Sequence, residues 1–253
     1  MDEAVFAGLH LSWQSWALSL LGAFSLGMNK AGINGIAIFF VTVAALVFGS
    51  KASTGIILPL LVSADIFAVW YYHRHTQWKY LRKLIPWMVA GTLLGVYIGK
   101  DLPEDIFRLS MAVIILISVI IMVWWETRKS EKVPDNVWFA GTTGVLAGFT
   151  TMVGNLAGAF SNLFFLAMRL PKQHFIGTGA WLFLIINVFK VPFHVWVWET
   201  ITWETLIIDA ALLPGIVLGF FAGVKIVAKI REKRYRQMII VLTGLGALLI
   251  FFA

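Results

Sequence analysis

The sequence contains no cysteine, which excludes disulfide bonds, thiolate metal sites and the relay of sulfur through a protein persulfide. Charge is also scarce: Asp, Glu, Lys and Arg make up only 13% of the 253 residues, against about 25% in soluble domains. Hydrophobic residues account for 60% of the chain, and its mean hydropathy is +0.85. Water cannot be the main solvent of such a chain, so we predict an integral membrane protein.

Apolar runs bounded by charged or turn residues divide the chain into two halves. The segments of the first half are Leu9–Met28, Ala31–Gly49, Ser53–His73, Tyr80–Gly99 and Ile106–Trp125. After a polar linker, Glu126–Asp135, those of the second half are Asn136–Val153, Gly154–Met168, His174–Trp198, Trp203–Ala228 and Tyr235–Phe252. Backbone groups in lipid must be hydrogen-bonded within each segment, so we predict an all-α protein without strands. Its predicted parts are a first transmembrane repeat at 1–126, a cytoplasmic linker at 127–135 and a second repeat at 136–253.

The charged residues outside the apolar runs predict the orientation of the chain. The first residues include Asp2 and Glu3 and lack the basic region of a cleaved signal peptide, so we expect the first run to remain as a span. With the N-terminus outside, the inside loops hold sixteen Lys and Arg residues, Lys30 among them, and the outside loops hold three. This excess predicts both termini outside and the linker on the cytoplasmic side.

Matching motifs indicate that the two halves are repeats. The spacing of proline and glycine in Pro86–Gly95 recurs in Pro214–Gly223. Five segments per half is an odd number, so the second half must enter the membrane from the opposite face. We therefore predict an inverted-topology repeat, the architecture of carriers that open alternately to the two sides. The glycine spacings by themselves favour close helix packing. About ten segments result, or eight if the second and seventh do not fully cross.

Polar and glycine residues interrupt the apolar segments at corresponding places in both halves, at 27–35 and 148–162. Residues 136–168 number only 33, fewer than the roughly 40 needed for two full crossings, so a helix must be short or broken there. Paired discontinuous helices are typical of a transporter's substrate site, and their free N-termini favour an anion. The alternative is ordinary tight turns or helix contacts. The substrate-binding residues that we predict at and beside these interruptions are Asn29, Lys30, Gly32, Asn34, Gly35, Ser53, Gly154, Asn155, Ser161, Asn162, Thr178 and Trp181.

Two charged residues, Asp65 and Lys190, lie inside predicted spans. They are 125 residues apart, the same offset that relates Trp78 to Trp203. Each lies eight residues from a segment end, or about 12 Å deep at 1.5 Å per residue, so a salt bridge between the halves is geometrically feasible. Ionisable groups within the membrane are functional candidates, and we predict a coupling or gating role. A fixed structural pair, or a lysine that reaches to the interface, is the alternative.

Three classes of function remain open: a carrier with alternating access, an anion channel and an intramembrane enzyme. An enzyme would need two facing carboxylates or a metal triad, and the chain offers only Asp65 and a near-surface Asp209. None of the five histidines has metal-ligand spacing, so we predict no metal or cofactor. His194 is retained as a candidate proton carrier. We therefore predict a transporter rather than an enzyme.

These motifs resemble those of the sulfite exporter TauE/SafE family, also called TSUP. The resemblance covers nearly the whole chain and is carried by Gly27–Gly35, Leu58–His75, Pro86–Gly95, Gly148–Gly154, Leu170–Thr178 and Asn187–Pro192. It implies a secondary transporter of a small sulfur-containing anion, such as sulfite or a sulfonate, in the inner (cytoplasmic) membrane, driven by an ion or proton gradient. It also adds Asn187 to Asp65 and Lys190 as a coupling or gating residue. The implied partners are the anion and the lipid bilayer and not nucleic acid, and a homodimer is left open.

Overall fold

The computed structural model describes residues 3–6, 9–48, 50–100, 103, 105–106, 117, 120, 124 and 136–252. The predicted fifth segment, Ile106–Trp125, and the linker, Glu126–Asp135, lie outside the described residues apart from the isolated positions named. In the described part the elements are β1 (Glu3–Phe6), β2 (Leu9–Ser12), α1 (Trp13–Lys30), α2 (Ala37–Phe48), α3 (Ser50–Tyr72), a short 3-10 helix (His73–His75), α4 (Trp78–Gly99), α5 (Val137–Gly154), α6 (Gly158–Ala167), α7 (Lys172–Trp196), α8 (Trp203–Lys229) and α9 (Glu232–Phe252).

The helices have the length and surface of membrane spans. Five stretches of the described chain are long and apolar enough to cross a bilayer: Ala52–His75, Trp78–Gly99, Val137–Gly154, Lys172–Trp196 and Trp203–Lys229. Large apolar side chains on the outer surface are widely exposed, as in Tyr97 at 85% and Leu218 at 66%. Such side chains cover the outside of a helix bundle when lipid is the solvent. The protein is a multi-pass helical membrane protein.

The prediction that the chain has no strands was wrong at its N-terminal end. Strands β1 and β2 form an antiparallel hairpin in which Glu3 lies opposite Ser12. Residues 9–12 alternate apolar and polar side chains, a pattern that favours a strand. Helix α1 begins at Trp13 instead of Leu9 because the Ser12 hydroxyl accepts a hydrogen bond from the backbone N–H of Ser15 at 3.2 Å and so caps the helix.

Two helix pairs pack through glycine at backbone distance. Helix α4 packs against α5 and helix α8 against α1. A Cβ atom on Gly91 would overlap the carbonyl oxygen of Val145, and one on Gly219 would overlap that of Phe24. The interpretation of these glycine spacings as close helix packing is confirmed. Helices α3 and α7 pack against each other and carry the charged residues.

Two of the helices in the described part of the chain are too short to cross a bilayer. Helix α2 has 12 residues and α6 has 10, so they are about 18 Å and 15 Å long at 1.5 Å per residue. The hydrocarbon core is about 30 Å thick. Each short helix follows an interruption, at residues 31–36 before α2 and 155–157 before α6. The predicted short or broken helices are confirmed, and the predicted spans Ala31–Gly49 and Gly154–Met168 contain only these partial crossings.

Candidate functional site

The first interruption is a turn that glycine permits. Gly32 has φ = 115° and Gly35 has φ = 104°, conformations that residues with a Cβ rarely adopt. The backbone N–H of Gly35 donates to Asn29 Oδ1 at 3.1 Å, which fixes the turn between α1 and α2. From outside the turn, Tyr72 Oη donates to the carbonyl oxygen of Ala31 at 3.0 Å. The turn is therefore held both by its own side chain and by a neighbouring helix.

The second interruption depends on a left-handed asparagine. Asn155 has φ = 55° and ends helix α5, where its N–H donates to the carbonyl oxygen of Thr151 at 3.0 Å. Asparagine tolerates this conformation better than most residues with a Cβ. Its side-chain Nδ2 donates to the carbonyl oxygen of Thr54 in α3 at 3.2 Å, which orients Oδ1 away from α3.

Lys30 forms a buried ion pair at the first interruption. Its Nζ lies 2.6 Å from Asp65 Oδ1, and both side chains are buried. The ammonium also lies 4.7 Å from the centre of the Phe183 ring, within the range of a cation–π contact. The placement of Lys30 in an inside loop was therefore wrong. As the last residue of α1, it extends its side chain into the core, where a carboxylate compensates its charge.

Lys190 lies at the second interruption and is fully buried. Its Nζ donates to Asn155 Oδ1 at 2.6 Å, to Thr151 Oγ1 at 3.1 Å and to Asn187 Oδ1 at 3.3 Å. These three oxygen acceptors match the three N–H donors of an ammonium group. None of them is a carboxylate, so neutral dipoles solvate the charge of Lys190.

Asn187 joins the two charged centres. Its Nδ2 donates to Asp65 Oδ2 at 2.7 Å, while its Oδ1 accepts from Lys190. The direct salt bridge between Asp65 and Lys190, which the sequence made feasible, is not formed among the described residues, because the ion pair of Asp65 is with Lys30. Counted with both lysines protonated and Asp65 ionised, this network carries one net positive charge.

A cavity of about 50 Å³ opens beside this network. A water molecule needs about 10–15 Å³, so the space suits a few waters or one small anion. The predicted site residues that line it are Asn29, Lys30, Asn34, Gly35, Asn155, Asn162 and Asn187. Gly32 lies beside it, on a smaller cavity shared with Asn29, Lys30, Asn34 and Asn162. The structure thus brings residues of both predicted interruptions to one place.

Both short helices begin at this cavity. Ala37, the first residue of α2, and Gly158, the first residue of α6, are in its lining. The first N–H groups of α6 have no intrahelical acceptor, and no side chain caps them at Ala157. The positive dipole ends of two helices add to the net charge of the network. Asn162 Oδ1 is buried without a hydrogen-bond partner, which leaves one acceptor for an N–H or O–H donor of a ligand or water.

Two predicted site residues lie near the start of α7 instead of at the cavity. Thr178 Oγ1 accepts from the backbone N–H of Gln77 at 3.0 Å. The Trp181 ring packs against Trp78, with 5.3 Å between the ring centroids. These contacts tie α7 to the loop before α4. The prediction placed both residues by their polar or aromatic type and had no information about which face of α7 they occupy.

Three further predicted residues do not line the cavity. Ser53 is buried in the first turns of α3, and Gly154 is the last residue of α5. Ser161 donates its hydroxyl to the carbonyl oxygen of Ala157 at 2.7 Å, within its own helix. Ser161 and Gly154 belong to the second interruption, and their neighbours in sequence supply the lining.

Sequence reasoning missed Thr151, Phe183 and Leu61 in the cavity lining. Thr151 follows Lys30 by 121 residues, the offset that also relates Gly27 to Gly148, so a consistent offset could have found it. Phe183 lies four residues before Asn187 and therefore on the same helix face. Leu61 gave no signal, because an apolar residue in an apolar span is the rule.

The histidines do not form a metal site. Among the described residues, no group of three or more His, Asp or Glu side chains is placed to hold a metal ion. His194, the candidate proton carrier, is buried, and its Nδ1 lies 2.8 Å from Thr200 Oγ1. Its Nε2 is buried without a hydrogen-bond partner. This histidine lies one turn beyond Lys190 and outside the cavity lining.

The fold and site define a multi-pass membrane protein with a polar cavity, lined by asparagines and a lysine, where two interrupted helices meet. The family model for the sulfite exporter TauE/SafE matches residues 18–250, and the chain belongs to this family. The resemblance inferred from the motifs is confirmed, and the family is one of membrane exporters and not of enzymes. No curated protein and no solved structure matches the chain.

Proposed function

We propose that this protein is a secondary transporter that moves a small sulfur-containing anion, such as sulfite or a sulfonate, across the cytoplasmic membrane by alternating access. The observation that carries the proposal is the cavity that Lys30 and Asn187 line and at which α2 and α6 begin. Asp65 and Lys190 lie behind this lining and are bonded to it. The family supplies the chemical class of the substrate. We propose that the predicted site residues in the cavity lining bind the substrate. Asp65, Asn187 and Lys190, which are bonded to one another or to the lining, are proposed as the coupling groups.

The charges around the cavity support an anion as the substrate. Lys30 is compensated by Asp65, but Lys190 is surrounded only by neutral oxygens. Lys190 reaches the lining through its bonds to Thr151, Asn155 and Asn187, so an anion in the cavity lies beside this charge and can compensate it without displacing the ion pair of Lys30 and Asp65. Amide groups and backbone N–H groups at the helix starts can donate to its oxygens. The volume of about 50 Å³ favours a small anion over a large organic one.

Alternating access is supported by contacts that occur in matched pairs. The contact of Gly91 with Val145 and that of Gly219 with Phe24 correspond: Val145 follows Phe24 by 121 residues, and Gly219 follows Gly91 by 128. Each half thus places its fourth segment against the first segment of the other half. We propose that 1–126 and 136–253 are inverted repeats of five segments, joined by a cytoplasmic linker at 127–135. Carriers with such repeats open alternately by movement of one unit against the other.

Radiolabelled sulfite flux in proteoliposomes tests the proposal. A carrier gives saturable uptake, and unlabelled sulfite inside the vesicles accelerates entry of the label by counterflow. Empty liposomes are the control for passive permeation. Flux that rises linearly with concentration and shows no counterflow would instead identify a channel. Chemical conversion of sulfite without movement across the membrane would identify an enzyme.

A further inference from the structure

Asp209 is a buried carboxylate that the proposed anion site does not use. It lies in α8, six residues after the helix begins at Trp203, and is only 5% exposed. Neither Oδ1 nor Oδ2 has a hydrogen-bond partner. Nor does Asp209 form an ion pair within the described part of the chain, which sets it apart from Asp65. The sequence placed Asp209 near the membrane surface, and the structure adds that the protein encloses it.

The buried residues beside Asp209 on α8 are apolar. Its neighbours in α8, Ile208 and Leu212, belong to a core cluster with Ile56 and Leu60 of α3. Helix α8 also packs against α1, in which Ser19 is buried and its hydroxyl has no partner. Asp209 therefore stands in a region that supplies little solvation for a negative charge.

The other charged groups on these three helices are few. Helix α1 carries Lys30, α3 carries Lys51 and Asp65, and α8 carries Glu204, Lys225 and Lys229. Lys30 and Asp65 are bound to each other, Glu204 is exposed in the first turn, and the last two lysines lie toward the opposite end of α8 from Asp209. Lys51 lies in the first turn of α3.

An unpaired carboxylate in such a place is costly, and a carboxyl group avoids this cost by binding a proton. A metal cation would need about six oxygen ligands, which an apolar cluster does not provide. Six residues of helix place Asp209 about 9 Å along the axis from the start of α8, so a proton that enters from that end of the helix has about 9 Å to cover. The proton is therefore the ligand that fits this position.

We propose that Asp209 is a proton-binding site and that its protonation and deprotonation couple anion movement to the proton gradient. The coupling role rests on the proposed transport function, whereas proton binding at Asp209 does not. The site is distinct from the anion cavity, whose lining does not include Asp209. An exchange of anion for anion needs no change in the protonation of Asp209, whereas accumulation driven by a proton gradient does.

Infrared spectroscopy of purified protein tests proton binding directly. The wild type is expected to show the C=O stretch of a protonated carboxyl group at neutral pH, and Asp209→Asn is expected to lose this band. Asparagine has the shape of the neutral carboxyl group, so the variant should fold, which thermal unfolding in detergent verifies. Glu204→Gln, at an exposed position of the same helix, is the matched control and should leave the band unchanged. Spectra in which Asp209→Asn removes no such band would overturn the proposal, because Asp209 would then be ionised.

Proteoliposomes with an imposed pH gradient test the coupling. In Asp209→Asn we expect sulfite counterflow at equal pH to persist while uphill accumulation of sulfite is lost. Asp209→Glu should retain part of the accumulation, and Glu204→Gln should retain all of it. Proton-driven accumulation at the wild-type level in Asp209→Asn would refute the coupling role and leave the proposed anion transport standing. Absence of sulfite exchange in the wild type would instead refute the proposed function, and the infrared result would still decide proton binding.

Discussion

Asn187 contacts Asp65 with one end of its amide and Lys190 with the other, at 2.7 Å and 3.3 Å. The two oppositely charged residues are thereby joined without forming a direct ion pair. An amide at this position can donate to the carboxylate through Nδ2 and accept from the ammonium through Oδ1 at the same time. The relationship makes Asn187 as central to the site as the two charged residues on either side of it.

Replacing Asn187 with leucine removes both contacts while keeping a similar volume. Asp65 and Lys190 would each lose one buried partner, and each such loss costs about 1–3 kcal/mol. We therefore expect a lower unfolding temperature in detergent and impaired sulfite flux in proteoliposomes. Val188→Leu, at the next position but on the exposed face, is the control and should alter neither quantity. Wild-type stability of Asn187→Leu would show that the bridge contributes nothing.

A second prediction concerns the ion pair of Asp65. Removing one partner of a buried pair typically costs about 3–5 kcal/mol, because the other charge is left uncompensated. Asp65→Asn should therefore be destabilised, and adding Lys30→Gln should restore much of the stability. Adding Lys190→Gln instead should not restore stability, because Lys30 would still lack its carboxylate partner. Thermal unfolding of the single and double variants measures the difference, and equal rescue by the two lysine substitutions would contradict the described pairing.

The net charge of the cavity predicts a loss of anion binding when a carboxylate is added. Thr151 Oγ1 accepts from Lys190 at 3.1 Å, and Thr151 lines the cavity. Thr151→Asp would compensate Lys190 and reduce the net charge of the network from one to zero. We expect weaker sulfite binding, measured by calorimetry on purified protein. Thr151→Asn has the same shape without the charge and should bind more tightly than Thr151→Asp, whereas equal affinities would argue against an electrostatic site.

Helix packing between α4 and α5 can be tested with two glycines of α5. A Cβ on Gly148 would overlap the carbonyl oxygen of Met88, whereas a Cβ on Gly141 would make ordinary contacts of 3.5 Å or more with Trp87. Overpacking a close contact costs about 1–3 kcal/mol. We expect Gly148→Ala to lower the unfolding temperature and Gly141→Ala to leave it unchanged or raise it slightly. Equal effects at the two positions would mean that the helices are not held at backbone distance.

The topology can be tested with single cysteines, because the chain has none of its own. Arg74, in the loop between α3 and α4, and Glu204, in the first turn of α8, are both exposed. We expect a membrane-impermeant thiol reagent to label Arg74→Cys from the cytoplasmic side and Glu204→Cys from the opposite side. Labelling of both from one side would reject the proposed orientation.

The interruptions could be predicted from the sequence because glycine and asparagine are conspicuous inside apolar segments. The buried position of Lys30 could not be predicted, because a count of basic residues by loop treats a lysine at a segment end as a surface residue. Its burial depends on the carboxylate of Asp65 in α3, which lies 35 residues further along the chain. Contacts of this kind are set by helix packing and leave no local pattern in the sequence.

The predicted pairing of Asp65 with Lys190 failed because of an offset that was wrong by less than one helical turn. The pair Trp78 and Trp203 gave an offset of 125 residues. Gly55 and Gly177 form a second matched pair, because Gly55 in α3 packs against Thr200, just after the end of α7, and Gly177 in α7 packs against Tyr72, at the end of α3. These two glycines are 122 residues apart. The offset of 122 relates Asp65 to Asn187, its observed hydrogen-bond partner. Loops of unequal length shift the offset along the chain, so one landmark pair does not fix the others.

Asn155 connects three helices through a single residue: it ends α5, donates to Thr54 in α3 and accepts from Lys190 in α7. Separating any two of these helices at this level requires the same side chain to release its bonds. Intermediate positions would leave a buried lysine short of an acceptor, which makes them unfavourable. Opening at the second interruption is therefore expected to be all-or-none, and substitutions of Asn155 should change the rate of interconversion between conformations more than the shape of either one.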